Sequence, residues 1–449
     1  MHCNSFIQTM MMTGGLAAVF AALCLLPAAR ADEPPPGKQA NPQAVEEVLS
    51  GVRTSANTAW WGFDADDATE CLQAAIDSGA RRLVVPYMGT PWIVRPLTLR
   101  SGQDIEFEPG VLVLAKKGEF KGRGDSLFTA ADQSDVVLRG YGATLRMRKQ
   151  DYMAEPYEKA EWRMAIALRG CSRGRIEGLR LESSGGDGIY LGTTSAQPYC
   201  EDIVIRDVVC HDNHRQGISV ISAVNLLIEN CILSNTGGTA PRAGIDLEPN
   251  HSREKLVNCV IRNCIMEDNE GPGILAYLRP LSRESEPISV LFENCLVRGG
   301  DSEGMVVGAW KDDGPMGLVE FRNCTAEDTG ESCARVYDKS ADVGRVRFVN
   351  CSWKNPFTRD DPPPLEKQAA VVVAAPRPQL ATRPGGVEFV GCHVYDDVDR
   401  ATVLVTLGEG AERVHDLTGD IIAHNPHGAR VELGPNADEL DLQVRAAEE

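Results

Sequence analysis

The stretches "RQGISVI" (215–221) and "RAGIDLE" (242–248) decide the fold, because three further segments match them at nearly regular spacing. These are "GDGIYLG" (186–192), "GPGILAY" (271–277) and "SEGMVVG" (302–308), and the aligned glycines stand 29, 27, 29 and 31 residues apart. Apolar residues alternate after each glycine, so one face of a short strand is buried. A strand repeated at this period predicts a solenoid, in which each coil hydrogen-bonds to the next about 4.8 Å away.

A second register runs through the same region. A short apolar strand followed by Asn-Cys recurs in "IENC" (228–231), "IRNC" (261–264), "FENC" (292–295), "FRNC" (321–324) and "FVNC" (348–351). The repeat predicts that these asparagines stack in one column at a turn. The cysteines after them should stack inward as buried free thiols, although pairing between neighbouring coils remains open.

The first thirty-one residues are predicted to be a signal peptide. Residues 10–31 form an apolar run that ends in Ala29-Arg30-Ala31, the small-x-small pattern of a signal-peptidase site. The Pro-rich segment 32–55 is predicted to be a linker, and residues 56–449 a single β-helix domain. We therefore expect a secreted or periplasmic protein.

The charge balance limits the partners. A net charge of −19 argues against nucleic acid, whose phosphates need Lys and Arg, and against an anionic membrane surface after signal cleavage. A solenoid that is capped at one end can exist alone, so we expect a monomer.

The segment "FDADDATECLQAAIDSGARRLVVPYMGTPWIVRPLTLRSGQDIEFEPGVLVLA" (63–115) resembles the start of pectin-lyase-like right-handed parallel β-helices. In that superfamily an Asp-Asp-x-Thr stretch precedes a short capping helix, which implies a cap over residues 63–80 with Asp67 and Thr69 as capping residues. The resemblance covers nearly the whole mature chain and implies an all-β fold, a single-stranded right-handed parallel β-helix with an N-terminal helical cap. It does not choose among the hydrolases, lyases, epimerases and binding proteins of the superfamily.

Three segments interrupt the repeat and are predicted to be loops that leave the coils. They are "MRKQDYMAEPYEKAEW" (147–162), "DDPPPLEKQ" (360–368) and "AAPRPQLATRPGG" (374–386). The last two are too rich in proline for strand interiors.

The alternation in the repeat turns one pair of acids outward. In "AGIDLEPN" (243–250) Ile245 and Leu247 take the inward positions, so Asp246 and Glu248 should point into a groove, with Cα atoms about 6.7 Å apart. Two carboxylates on one side of a strand repel each other, which raises one pKa toward that of a general acid. The pair is therefore the first candidate for catalysis.

Asp187 is the next catalytic candidate. It lies in "SGGDGIYLG" (184–192), which resembles the Asn-Thr-Asp-Gly-Ile-Asp motif of polygalacturonases, with Asp187 on the first aspartate. The second aspartate of that motif is Tyr190 here, so the acid set of the family is incomplete. Asp187 and Asp246 should lie two coils apart, about 9–10 Å along the axis, which suits an inverting glycosidase. Glu248 would instead be the partner of Asp246 in a retaining one.

Arginines and neighbouring polar residues are candidates for substrate binding. Arg215 and Arg242 occupy the same column on successive coils, where they could hold an anion such as a uronate or sulfate, or else pair with the acids. His214 is a candidate proton shuttle. The other substrate-binding candidates are Gln216, Tyr277, Glu303, Trp310 and Lys311. No metal site has a recognisable ligand spacing and no cofactor is required, with calcium kept open.

These residues favour a glycoside hydrolase acting on a polysaccharide or oligosaccharide, because the charged cluster is mostly carboxylate and its arginines are poor bases. The alternative is a polysaccharide lyase or uronate epimerase. There an arginine, a lysine or calcium neutralises the uronate, and His214, Tyr277 or Lys311 abstracts its proton. A second alternative is a non-catalytic carbohydrate-binding β-helix.

Overall fold

This computed structural model describes residues 39–411, 413–434 and 441–447, so the predicted signal peptide lies outside the described residues. The chain forms parallel strands arranged in two sheets that run along a solenoid, as the repeat predicts.

The N-terminal cap begins earlier than the sequence predicts. A helix over Pro42–Leu49 and a strand over Ser55–Asn57 occupy part of the predicted linker. Asn41 caps the helix by accepting the backbone N–H of Ala44, and Val48 is buried in the core. The prediction of a linker up to residue 55 was therefore wrong for its second half, because a short amphipathic helix lies within the polar sequence.

The predicted capping helix is confirmed. A 3-10 helix over Thr58–Trp61 precedes an α-helix over Thr69–Asp77, whose Leu72 is fully buried. The Asp67 carboxylate accepts the backbone N–H of Thr69 at 3.1 Å, as the capping role implies.

One sheet has twelve strands and is called the twelve-stranded sheet. Its members are Leu97–Thr98, Phe128–Ala131, Ile166–Arg169, Ile189–Gly192, Ile218–Val220, Ile245–Leu247, Ile274–Tyr277, Met305–Gly308, Ala334–Tyr337, Ala369–Ala375, Ala401–Leu407 and Val431–Leu433. Five of these strands contain the glycine repeat, and their register confirms the alignment. The residues after the glycines pair directly across the coils, namely Ile189, Ile218, Ile245, Ile274 and Met305.

The remaining twenty-two strands form the larger sheet. Its members are Ser55–Asn57, Arg82–Val85, Trp92–Val94, Gln103–Phe107, Leu112–Ala115, Val136–Arg146, Arg175–Glu182, Cys200–Arg206, Val209–His211, Ala223–Glu229, Ile232–Ser234, Leu256–Arg262, Ile265–Glu267, Ile288–Glu293, Leu296–Arg298, Gly317–Arg322, Thr325–Glu327, Arg345–Val349, Ser352–Lys354, Gly385–Tyr395, His415–His424 and Asp441–Ala446. Short 3-10 helices lie in two of the predicted loops, over Asp151–Met153 and Leu365–Lys367.

The asparagine column is confirmed at the bend between successive strands of the larger sheet. The amide of Asn263 donates to Asn230 at 3.4 Å, Asn294 donates to Asn263 at 3.3 Å, and Asn323 donates to Asn294 at 3.2 Å. All four have positive φ, a left-handed conformation that asparagine tolerates better than most residues. The amide ladder and the backbone bend therefore select the same residue.

The cysteines lie inside the solenoid. The twelve cysteines of the described residues are all free and buried, as the sequence predicts for the column. The thiol of Cys264, for example, donates to the carbonyl oxygen of Arg262 at 3.2 Å.

Candidate active site

The strand register sets the position of Asp246. Ile245 and Leu247 are fully buried in the core, and Asp246 pairs between Ser219 and Leu275 on the opposite face of the twelve-stranded sheet. The carboxyl group thus points out of the solenoid, as its alternation predicts. It is nevertheless 0% exposed, so the expectation of an open groove at this point was wrong.

Gln216 holds the Asp246 carboxyl group in place. Its side-chain N–H donates to Oδ2 of Asp246 at 2.8 Å, and its own oxygen accepts the backbone N–H of Ala243 at 2.8 Å. Oδ1 of Asp246 is buried without a hydrogen-bond partner within the described residues. Gln216, on the preceding coil, therefore orients the carboxyl group of Asp246. It does not line an open surface, as a substrate-binding residue would.

Asp246 and Glu248 form a close pair. Burial raises the pKa of Asp246 well above its ordinary value, and the negative charge of Glu248 raises this pKa further. The two carboxyl groups are close enough to hydrogen-bond with each other. Glu248 also contacts a cation, because the guanidinium of Arg215 lies 3.1 Å from its Oε2. The arrangement can hold one proton between two carboxylates, one of which is neutralised by an arginine.

Asp187 is fully buried near this pair. Its side chain is 0% exposed, and neither carboxylate oxygen has a hydrogen-bond partner in the described part of the chain. Burial raises the pKa of Asp187 to about 7, against the opposing charge of Arg215. A carboxyl group in this state is protonated below neutral pH and can donate a proton there.

The predicted loop over residues 147–162 covers Asp187. Arg163 pairs with Gly185 in an antiparallel bridge, and the Arg163 guanidinium donates to backbone carbonyls that include that of Glu158 at 2.6 Å. Glu161 of this loop lies 3.6 Å from the guanidinium of Arg215. Arg215 thus links the cover to Glu248. The sequence alone does not indicate Glu161 and Arg163 as part of the site, because the charge of a loop does not show which coil the loop contacts.

The other two basic candidates lie apart from the acids. Arg242 pairs with Glu270 at 3.0 Å, so the structure does not form the predicted arginine clamp for an anion. Arg242 stands at a turn with a φ of 59°. The ring of His214 contacts the Thr239 hydroxyl at 2.9 Å, and burial lowers its pKa.

The candidates Tyr277, Trp310 and Lys311 lie on the two coils after that of Asp246, in or just after the strands Ile274–Tyr277 and Met305–Gly308. Trp310 is fully buried, and its indole N–H donates to the Pro315 carbonyl at 2.8 Å, so its prediction as a sugar-stacking residue was wrong. Lys311 pairs with Asp313 at 3.1 Å. Tyr277 is half-buried against an apolar cluster on the outer face.

Glu303 lies two coils beyond Asp246 by the register of the sheet, just before the strand Met305–Gly308. It pairs with Arg335 at 2.5 Å and accepts the Ser302 hydroxyl at 2.6 Å. The structure brings Asp187, Arg215, Gln216, Asp246 and Glu248 into one cluster, as predicted, but leaves Glu303, a predicted substrate-binding residue, outside it.

Among the described residues, no group of three or more His, Cys, Asp and Glu side chains is positioned to hold a metal ion. None of the helices within the described ranges has the length and hydropathy needed to cross a bilayer. The calcium expectation stays a prediction.

Comparison with known proteins supports the fold. A family model described as a right-handed beta helix region matches residues 160–313. The uncharacterized protein YclG of Bacillus subtilis is 29% identical over 154 residues, which are 31% of this chain and 26% of that protein. The matched region thus spans about a quarter of the relative's length.

Three solved structures share the architecture at low sequence identity. The family 28 exopolygalacturonase of Yersinia enterocolitica is 13% identical, with a TM-score of 0.56 over 86% of this chain and 79% of that chain. The A-module of the Azotobacter vinelandii mannuronan C-5 epimerase AlgE4 is 16% identical, with a TM-score of 0.57 over 86% of this chain and 99% of that chain. The Streptococcus pneumoniae surface adhesin PfbA is 11% identical, with a TM-score of 0.51 over 88% of this chain and 91% of that chain. This chain has the right-handed parallel β-helix fold that these structures share.

Proposed function

We propose that this protein is an exported glycoside hydrolase that cleaves a polysaccharide or oligosaccharide by carboxylate acid–base catalysis. One observation carries the proposal: Asp187, Asp246 and Glu248 meet around Arg215 on the outer face of the twelve-stranded sheet. Glycoside hydrolysis requires a carboxylic acid and a carboxylate at one bond, and environments that separate their protonation states assign the two roles.

Asp187 acts as the general acid in this proposal. Its pKa of about 7 leaves it protonated in mildly acidic and neutral solution, and its oxygens have no competing partner within the described chain. The proton passes from Asp187 to the oxygen of the leaving sugar.

Asp246 and Glu248 act together as the base. Two carboxyl groups that share one proton carry one negative charge between them, and this charge can accept a proton from an attacking water molecule. Gln216 fixes the orientation of Asp246, while the guanidinium of Arg215 contacts Glu248 at 3.1 Å. Retaining enzymes hold their two carboxyl groups about 5–5.5 Å apart and inverting ones further apart, so Asp187, which lies two coils from Asp246, is assigned as the partner in an inverting reaction.

Substrate access requires the cover over Asp187 to move. The contact between Arg215 and Glu161 joins the cover to the acids across 3.6 Å, which is a weak partly exposed ion pair. A substrate that displaces Glu161 from Arg215 would expose Asp187 without breaking the sheet. Among the proteins of similar fold, an exopolygalacturonase acts on a polysaccharide, which agrees with a carbohydrate substrate here.

The test is incubation of the protein with a panel of neutral and acidic polysaccharides, followed by product mass and anomeric configuration. Hydrolysis adds one water per cleaved bond, and inversion gives the opposite anomer first. Asp246→Asn retains the hydrogen bond from Gln216 but cannot accept a proton, so activity should fall by about a hundredfold or more. Asp397→Asn, at an exposed loop position, is the matched control and should retain full activity.

Other products would contradict the proposal. An unsaturated uronate would indicate a lyase, and inverted C5 stereochemistry without cleavage would indicate an epimerase. Binding without any product would indicate a carbohydrate-binding protein. Full activity of Asp246→Asn on a substrate that the parent cleaves would remove this cluster from the mechanism.

A further inference from the structure

A cavity of about 690 Å³ opens on the outer face of the twelve-stranded sheet, beyond the carboxylate cluster. Its volume lies within the roughly 300–1,000 Å³ that is typical of small-molecule sites. We call it the distal pocket. Its defining residues are Glu331, Arg335, Phe357, Arg359, Lys367 and Leu404.

The strand register places the distal pocket in line with Asp246. Across successive coils Asp246 pairs with Leu275, Leu275 with Val306, and Val306 with Arg335. Three coils correspond to about 14 Å at the spacing of β-strands. Leu275 and Val306 form an apolar cluster with half-buried Tyr277 on the surface between the two sites. A single face of the sheet therefore connects the acids to the pocket.

The lining of the distal pocket combines apolar and polar groups. Val372 and Leu404 provide an apolar floor, and Phe357 lies beside them at the wall. Arg359 and Glu331 form an ion pair at 2.8 Å, which presents fixed donors and acceptors at the rim. A pyranose ring has the same division, since its C–H face is apolar and its edge carries hydroxyl groups.

The charge of the distal pocket differs from that of the whole chain. Its lining contains three cationic side chains, Arg335, Arg359 and Lys367, against the two acids Glu331 and Asp361. The complete chain carries a net charge of −19. Arg335 pairs with Glu303 and Arg359 pairs with Glu331, so the pocket carries little net charge, and a neutral sugar is accepted there while an acidic one is repelled less than elsewhere on the surface.

We propose that the distal pocket is a remote subsite that binds a sugar residue of the same chain whose glycosidic bond reaches Asp246 and Asp187. The proposal takes the identity of the bound saccharide from the proposed function, but binding in the pocket does not require that the protein cleaves this saccharide. A site several coils from the acids would engage only oligosaccharides of several residues, so the pocket should select for chain length.

Binding to an Asp246→Asn protein tests the subsite without turnover. Calorimetric titration uses hexasaccharides and disaccharides of galacturonate, mannuronate and glucose. Arg359→Ala and Phe357→Ala are each added to the Asp246→Asn protein. Each should lower the affinity for the hexasaccharide by about tenfold, since each removes one wall of the pocket. Disaccharide affinity should stay unchanged. Arg383→Ala is the matched control, because Arg383 is a similarly exposed arginine that pairs with Asp342 outside the pocket.

The outcomes separate the two proposals. The subsite is wrong if no hexasaccharide binds the Asp246→Asn protein, or if both pocket variants bind it with unchanged affinity while their melting temperatures match that of the control. Cleavage by the protein with Asp246 intact, together with unchanged binding in the pocket variants, would overturn the subsite and leave the hydrolase. Pocket-dependent binding without any cleavage would support the subsite and reject the hydrolase.

Discussion

The outer faces of the two sheets hold their acids in opposite ways. On the larger sheet, Glu229 and Glu293 lie on either side of Arg262 across neighbouring coils, and Arg262 contacts Glu229 at 2.7 Å. On the twelve-stranded sheet, Asp187 and Asp246 are fully buried with raised pKa values. The acids of the larger sheet are thus half-buried and paired with arginines, whereas buried acids with free oxygens destabilise the fold. Their presence in one cluster points to chemistry.

Asp187→Asn is expected to have the largest effect on stability. The folded-state pKa of Asp187 is about 7 and the ordinary value is 3.8, so between these values the folded state holds a proton that the unfolded state releases. The free energy of unfolding of the parent therefore falls by about 4 kcal/mol at most as pH rises from about 4 to 7, and it stays low above pH 7. Asn cannot ionise, so the variant should be more stable at pH 8 and similar to the parent at pH 4.

Denaturant unfolding at several pH values measures this difference. Asp135→Asn is the control with the opposite sign, because the Arg173 guanidinium beside Asp135 lowers the pKa of that exposed carboxyl. This control should be slightly less stable than the parent above pH 4. If the Asp187→Asn protein is no more stable than the parent at pH 8, the Asp187 carboxyl group is solvated in the folded protein. The contrast between the two sheets would then weaken.

Arg215→Ala should reduce activity by about a hundredfold, the next largest effect. In the parent, the positive charge of Arg215 lowers the pKa values of both Asp187 and Asp246. Without the guanidinium, both pKa values rise further. The alkaline limb of the pH–rate profile should move upward, and Arg215→Lys should recover part of the rate. Arg262→Ala on the larger sheet loses a partly exposed ion pair, so it should cost at most about 1 kcal/mol and leave the profile unchanged. Equal losses in both variants would contradict a positioning role for Arg215.

Most of the coil register could be predicted from the sequence. A stacked coil repeats its neighbours' environment, so Ile245 and Asn263 recur as columns of similar residues. The outward direction of Asp246 follows from the same alternation, since only two faces exist in a strand.

The covering of the outer face could not be predicted. Asp187 is sealed by Glu161 and Arg163 from a distant loop, and no periodicity connects a loop to the coil that it contacts. Trp310 looked exposed in "AWKDDG", yet Gly344 leaves room for its ring: a Cβ there would lie 2.2 Å from the indole. The helix over Pro42–Leu49 was missed because it is short and lies in a Pro-rich segment. For Asp187 and Trp310, a contact between residues distant in sequence decides the result.

Asn263→Ala should have the smallest effect and touches only the larger sheet. The side chain takes part in two amide hydrogen bonds, with Asn230 at 3.4 Å and with Asn294 at 3.3 Å, and its φ is 54°. Alanine loses both bonds and is strained in the left-handed region, so the free energy of unfolding should fall by roughly 1–2 kcal/mol. Asn263→Gly removes the strain and should lose less.

Activity of both Asn263 variants should equal that of the parent, because the ladder supports the coils and not the acids. Chemical denaturation measures the first effect and turnover of the cleaved polysaccharide measures the second. If Asn263→Ala lowers turnover as much as stability, the two sheets are coupled and the division between a supporting face and a reactive face is wrong. If alanine and glycine cost the same, the loss comes from the amide hydrogen bonds alone, and backbone strain plays no part in selecting asparagine at this turn.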